Sequence, residues 1–295
     1  MKKTQVARIV RAMGKLTRAR VTDNSVWLFG ADARVYLAAQ CTTDTPTTVP
    51  LDLVPDLVAN PCVVSGNTVT LGTVTRSFVA PQGADEWQPI AHPGCAFSVS
   101  GTASAWIAGA ADTGKSMPIL MNIYARDGYL MATDRFRAHS VPCPDDARGA
   151  IPASLLAAFG DCELAFDESG SWFVSGDGFQ ATGTVYGDTP NLPAIIQSAL
   201  SDANRVPLGV DLLDLVTRAG KLPKKTSLTI DATGATFQAP GGFLVTVPAP
   251  APAMPVKVDA AFITSAGLGE WSIADSHKPL LARDGDRLAL VMPQR

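Results

Sequence analysis

The chain has 295 residues, enough at about 150 per domain for two domains, and its 46% hydrophobic and 17% charged residues exclude a disordered or coiled-coil polypeptide. A net charge of −3 argues on its face against nucleic acid, yet residues 1–20 hold seven Lys/Arg and no acid, leaving 17 basic against 27 acidic side chains elsewhere, a net of −10. One surface is basic and the rest repels polyanions.

In chain order, the first predicted element is a helix over Thr4 to Gly14. Arg8, Arg11, Lys15 and Arg18 fall on one face at i, i+3, i+7 and i+10, while Val6, Ile9, Val10, Met13 and Leu16 take the other. That spacing docks an apolar stripe on a sheet and turns cations outward. A hairpin follows in VWLFGADARVYLAAQ with its turn at Gly30, then a Pro-rich connector at 42–50. The next segment, a short apolar helix and hairpins around Gly66-Asn67, closes the first unit.

The same order recurs twice. A helix over Ala103 to Gly114, a hairpin turning at Asp127-Gly128, a connector at 142–152, and a helix with hairpins around Gly176-Asp177-Gly178 make the second unit. A helix over Asp211 to Gly220, strands turning at Thr233-Gly234, a connector at 248–256, and a helix with a hairpin at Asp284-Gly285 make the third. Repetition overrides the length prior and gives three domains, 1–94, 95–198 and 199–295, each of two helix-plus-strand halves. Short helices and many strands point to α+β architecture with antiparallel sheets. The thirds carry +2 (1–95), −6 (96–200) and +1 (201–295).

A second basic cluster, Arg218, Lys221, Lys224 and Lys225, follows the helix of the last unit. Read alone it is a solvated helix end complementing the dipole; paired with the N-terminal cluster it reads as a phosphate-facing surface. Gly109-Ala-Ala-Asp-Thr-Gly114-Lys115-Ser116 matches the phosphate-loop pattern and would make the chain a nucleotide-dependent enzyme. Its flanks fail that motif: residues 102–108 read as helix, and Met117 to Leu120 read as the start of a strand.

No Ser or Cys nucleophile pairs with a His base in a local signature, so no catalytic residues are assigned. His92, His139 and His277 are scattered. The five cysteines form no C-x-x-C pair, so they read as apolar thiols without disulfide, zinc or other cofactor. Acidic pairs such as Asp85/Glu86, Asp145/Asp146 and Asp167/Glu168 read as solubilising loop residues. No apolar run approaches the about 18 residues of a membrane span, and Arg8 and Arg11 interrupt any leader core, so no membrane partner and a cytoplasmic location are expected.

The stretch Pro118-Ile119-Leu120, Asp127-Gly128, Ala132-Thr133-Asp134-Arg135-Phe136-Arg137-Ala138 resembles the middle domain of the β sliding clamp family, the processivity subunit of bacterial DNA polymerase III. Its pattern there is a P-V-L strand, an acidic turn, and A-T-D-(small)-H-R-L-A. Thr189 to Ile196 is similar to the linker into that family's last domain, and Lys278-Pro279 through Met292-Pro293-Gln294-Arg295 is similar to its closing segment. The chain is short for the family, which fits a compact, divergent member such as a viral one.

The resemblance implies a homodimeric ring of three clamp domains per chain around duplex DNA, without a catalytic site. Its partners would be DNA bound without sequence preference, a replicative DNA polymerase and a clamp loader. It places Arg8, Arg11, Lys15, Arg18, Lys115, Arg218, Lys221, Lys224 and Lys225 toward DNA. It further implies a peptide pocket of Leu120, Thr133, Arg135, Phe136, Arg137, Ala138, Pro190, Ala194, Ile195, Leu290 and Met292. Arg135, Phe136, Ala138 and Ala194 depart from the family's usual residues, so an altered motif is expected. A repeat scaffold or viral structural protein with clamp-like domains but no DNA role is the competing non-enzymatic reading.

Overall fold

A computed structural model describes residues 1–14, 17–79, 96–114, 117–187 and 190–294. Lys15, Leu16, Asp85, Glu86, His92, Cys95, Lys115, Ser116, Thr189 and Arg295, and the boundary at 94/95, lie outside these. The architecture is α+β. Among the described residues, seven helices accompany strands that pair antiparallel almost throughout. The helices are α1 (Lys3–Met13), α2 (Val54–Ala59), α3 (Gly101–Ala108), α4 (Ala153–Phe159), α5 (Leu192–Ser201), α6 (Leu212–Ala219) and α7 (Ala260–Ala266).

The chain divides into two compact units, each discontinuous: residues 1–105 with 147–187, and residues 106–146 with 188–295. In the first, Thr47–Val49, Arg18–Thr22, Ser25–Phe29, Ala33–Ala38, Phe179–Gly183, Trp172–Gly176, Cys162–Phe166 and Phe97–Val99 form one sheet in that order. Ala33–Ala38 pairs antiparallel with Phe179–Gly183, so strands of the first sequence repeat continue into strands of the second. The second unit follows the same plan: Asn122–Arg126, Tyr129–Thr133 and Arg137–Pro142 are extended by Arg287–Val291, Leu280–Asp284, Glu270–Ile273 and Val206–Asp211. Backbone pairing thus groups halves of different repeats.

Local chemistry places the helices. α1 buries Val6 and Ile9 against its own unit and stops at Gly14, whose φ of 89° disfavours side-chain-bearing residues. α6 is capped by Asp211, which accepts from the Asp214 N–H at 2.8 Å, and α7 by Asp259, which accepts from the Ala261 N–H at 2.9 Å. Packed beneath α6 and α7 are Leu228, Ile230, Phe237, Val258 and Trp271.

Several sequence expectations need correction. Arg18 opens a strand rather than extending the basic face of α1, because the helix has already ended at Met13. α3 ends at Ala108 instead of Gly114. Residues 118–121 form a 3-10 turn, and the strand begins only at Asn122, whose side-chain amide donates to the Pro118 and Ile119 carbonyls. The linker-like segment after Pro190 is helix α5, opening with Pro193 in its first turn where a missing N–H is tolerated. All three connectors contribute strand residues: Thr47–Val49, Gly149–Pro152 and the start of Val256–Asp259.

The reading of unpaired thiols fails for Cys41 and Cys62. They face each other across a parallel strand pair with Cα atoms 4.8 Å apart and are joined as a disulfide. Cys143 and Cys162 are free, and burial pushes both thiols up to about 12.

Candidate functional site

The second unit holds an apolar cavity of about 240 Å³ where the turn between Tyr129–Thr133 and Arg137–Pro142 meets the end of Arg287–Val291 and the start of α5. Ten of the eleven residues assigned to the pocket line it: Leu120, Thr133, Arg135, Phe136, Arg137, Ala138, Pro190, Ile195, Leu290 and Met292. Ala194 lies instead in an adjoining groove, which shares Asn191, Ile195 and Pro279 with the cavity. Asn191, Leu192 and Pro279 complete the lining and were not assigned from sequence, although all three sit inside the matched motifs.

The floor and rim differ in a way that suits an apolar guest. Leu120, Thr133, Ala138 and Leu290 are buried, whereas Phe136, Ile195 and Met292 are 55%, 49% and 37% exposed. Exposed apolar groups around a ready-made apolar hollow are unfavourable in water until something covers them. The rim is held rigidly: Asp134 Oδ1 accepts from the Phe136 and Arg137 N–H groups, both at 3.0 Å, and its Oδ2 accepts from Arg137 Nε at 2.9 Å. These bonds keep Arg135 at φ 80°, a conformation unusual for a side-chain-bearing residue. Arg137 Nη1 donates to Ser265 Oγ at 2.6 Å, and its guanidinium lies 4.9 Å from the Phe262 ring centre. The Met292 N–H donates to the Phe136 carbonyl at 2.8 Å, closing the rim. Arg205 anchors the far end of α5 by donating to the carbonyls of Ala199, Ser272 and Pro279.

The cations fall into two places. In the first unit, exposed Arg8 and Arg11 line a groove between α1 and α4, beside Ser154 and Ala157. In the second unit, exposed Lys224 lines a groove between α6 and α7, with Lys221 and Lys225 also exposed on the loop after α6. Arg218 is engaged: it pairs with Asp214 at 3.4 Å and donates to the Pro248 carbonyl at 3.0 Å. Arg18 is exposed at the start of its strand.

The phosphate-loop match is a loop without phosphate-loop geometry. Among the described residues, Gly109 to Gly114 follow helix α3 where the motif needs a strand, and residues 118–121 form a 3-10 turn. Among the described residues, no helix is long and apolar enough to cross a membrane, and no three His, Cys, Asp or Glu side chains gather as a metal site.

The fold is that of the DNA sliding clamps. The chain is similar over nearly its whole length to the DNA polymerase III β subunit of Thermotoga maritima (TM-score 0.71, 16% identity, 99% of this chain and 96% of that one). It is likewise similar to the sliding clamp of Bacillus subtilis (0.68, 15%, 99% and 96%) and to the DnaN sliding clamp of Bartonella birtlesii, solved bound to griselimycin (0.68, 18%, 100% and 98%). No protein-family model and no curated protein matches the sequence.

Proposed function

We propose that this chain is a DNA sliding clamp, a non-catalytic processivity factor that encircles duplex DNA and tethers a replicative polymerase through the apolar cavity. The observation that carries the reading is the clamp fold over 99% of the chain. The charge pattern supports it: Arg8, Arg11, Lys221, Lys224 and Lys225 offer unspecific phosphate contacts, while the remaining surface is net acidic. Weak contacts suffice when topology retains the DNA. The buried floor and exposed apolar rim suit a short linear motif of a polymerase, a clamp loader or another partner.

The domain reading is three clamp domains, 1–94, 95–198 and 199–295, and two chains joined head to tail into a ring. Two sheet edges, exposed among the described residues, favour such a joint: Val74–Ser77 in the first unit, with Val74 53% exposed, and Phe243–Val247 in the second, with Leu244 64% exposed. Open edges of this kind, the second of them mainly apolar, pair with another chain. Work in the cytoplasm follows from the same role. Light scattering should return about twice the 30.8 kDa chain mass, and negative-stain images should show a closed annulus. A stable monomer without an annulus overturns the ring.

A further inference from the structure

A second cavity of about 310 Å³ opens in the same unit, flanked by the Asp127-Gly128 turn, the strand Arg137–Pro142, the last turns of α5 and the Arg283 to Leu288 hairpin. Its chemistry differs from that of the apolar cavity. Ser140 lines it, is 1% exposed, and its Oγ has no hydrogen-bond partner. A buried hydroxyl left unpaired is destabilising, and a ligand atom reaching it would relieve that. Asp127, Asp145 and Asp286 stand around the opening. Asp127 pairs with Arg126 at 3.3 Å, whereas Asp145 and Asp286 make no ion pair among the described residues.

The remaining wall is apolar: Val141, Leu200 and Leu288 line it, and Tyr129 adds a ring whose hydroxyl accepts from Gln197 Nε2 at 3.1 Å. Arg283 is also present, with its Nε directed to the Gly285 carbonyl at 3.3 Å. Asp145 is drawn over the turn because residue 128 is glycine: a Cβ there would meet Asp145 Oδ1 at 2.7 Å. Negative potential reaches the neighbouring Cys143, whose thiol stands at about 12 through burial first and the Asp145 and Asp146 charges next.

We infer that this cavity receives the side chain of a lysine or arginine carried by a partner protein. The aliphatic stem would lie along Val141, Leu200 and Leu288, as such stems pack on apolar surface. The charged head would donate to Ser140 Oγ and stand among the carboxylates of Asp145 and Asp286. A metal ion suits the site poorly, since no three acidic, His or Cys side chains among the described residues converge as ligands. The site is separate from the apolar cavity and does not depend on the clamp reading.

The test is an amide NMR titration of the full chain with Nα-acetyl-lysine-N-methylamide and its arginine counterpart, the norleucine analogue serving as the uncharged control. The expected result is saturable shifts at Gly128, Tyr129 and Ser140 with both basic probes and none with norleucine. Ser140→Ala and Asp145→Asn should each weaken binding roughly fivefold or more. Absence of saturable shifts, equal response to norleucine, or indifference to both substitutions overturns the proposal. So does magnesium chloride producing the same shifts and displacing the basic probes, which would make it a metal site.

Discussion

Asp134 holds Arg137 twice, through the backbone N–H at 3.0 Å and the guanidinium Nε at 2.9 Å, with both side chains about 15% exposed. The pair therefore sets the shape of the cavity rim from behind rather than offering itself to a guest. Asp134→Ala removes three hydrogen bonds from a half-buried turn and leaves Arg137 with Ser265 as its hydrogen-bonded side-chain partner. The expected loss is about 2 kcal/mol of stability in urea denaturation, given about 1.5–3 kcal/mol for hydrogen bonds to charged groups. Peptide affinity should fall with it.

Phe136 and Met292 behave oppositely, because they are exposed and support little of the core. Phe136→Ser and Met292→Asp should leave the thermal midpoint within a degree or two of wild type, since surface substitutions usually stay within about 0.5 kcal/mol. Binding of a polymerase C-terminal peptide, followed by fluorescence anisotropy, should drop by roughly tenfold or more as apolar contact area is lost. Unchanged affinity in both variants would remove the peptide role from this cavity.

The hairpins at Gly30, Asp127-Gly128 and Thr233-Gly234 are legible in the sequence because turn chemistry is local. The cavity lining is legible through resemblance alone: Leu120, Ala138 and Leu290 are ordinary buried apolar residues by composition, and only their order along the chain marks them. What escapes is non-local. The Cys41 to Cys62 pairing depends on two strands meeting in parallel register across 21 residues, which no spacing rule announces. Asp145 looks like a solubilising loop acid until Gly128 and the unpartnered Ser140 are seen beside it. Helix α5 hides because Leu192-Pro193 reads as a linker until its apolar face, Leu192, Ile196 and Ala199, is found buried.

The cations of α1 give a salt-dependent signature. Arg8→Glu with Arg11→Glu should reduce the slope of log affinity against log salt for a fluorescent duplex by about 2, since each phosphate contact contributes about 0.9. Both side chains are exposed, so stability should not change. An unaltered slope would mean that the groove between α1 and α4 faces away from DNA.

His139 predicts an acid-sensitive core. It is fully buried, stacked on Trp106 with ring centres 4.4 Å apart, and its Nδ1 lies 2.8 Å from the Trp106 carbonyl while Nε2 has no partner. Burial lowers it to about 4 from the ordinary 6.5, the Arg137 charge acting in the same direction and the Trp106 carbonyl and Asp134 opposing. The folded form binds its proton less readily than the unfolded form, so the contribution is fully present above pH 6.5 and is lost progressively as pH falls toward 4. The loss is on the order of 3 kcal/mol across that window. His139→Phe keeps an aromatic ring against Trp106 and should flatten that part of the pH–stability curve, read as the difference from wild type in urea titrations at successive pH values.

The Cys41 to Cys62 disulfide closes a loop of 21 residues that contains α2 and the strand Thr47–Val49. In the chain-entropy account, a crosslink over a loop of that length stabilises by about 3 kcal/mol, by restricting the unfolded chain. Cys62→Ser should therefore lower the urea midpoint by that equivalent, and dithiothreitol should move wild type toward the variant while leaving the variant unmoved. Intact mass under non-reducing and reducing conditions should differ by two hydrogens in wild type. Equal masses, with a midpoint indifferent to reductant, would show that the two cysteines remain thiols in solution.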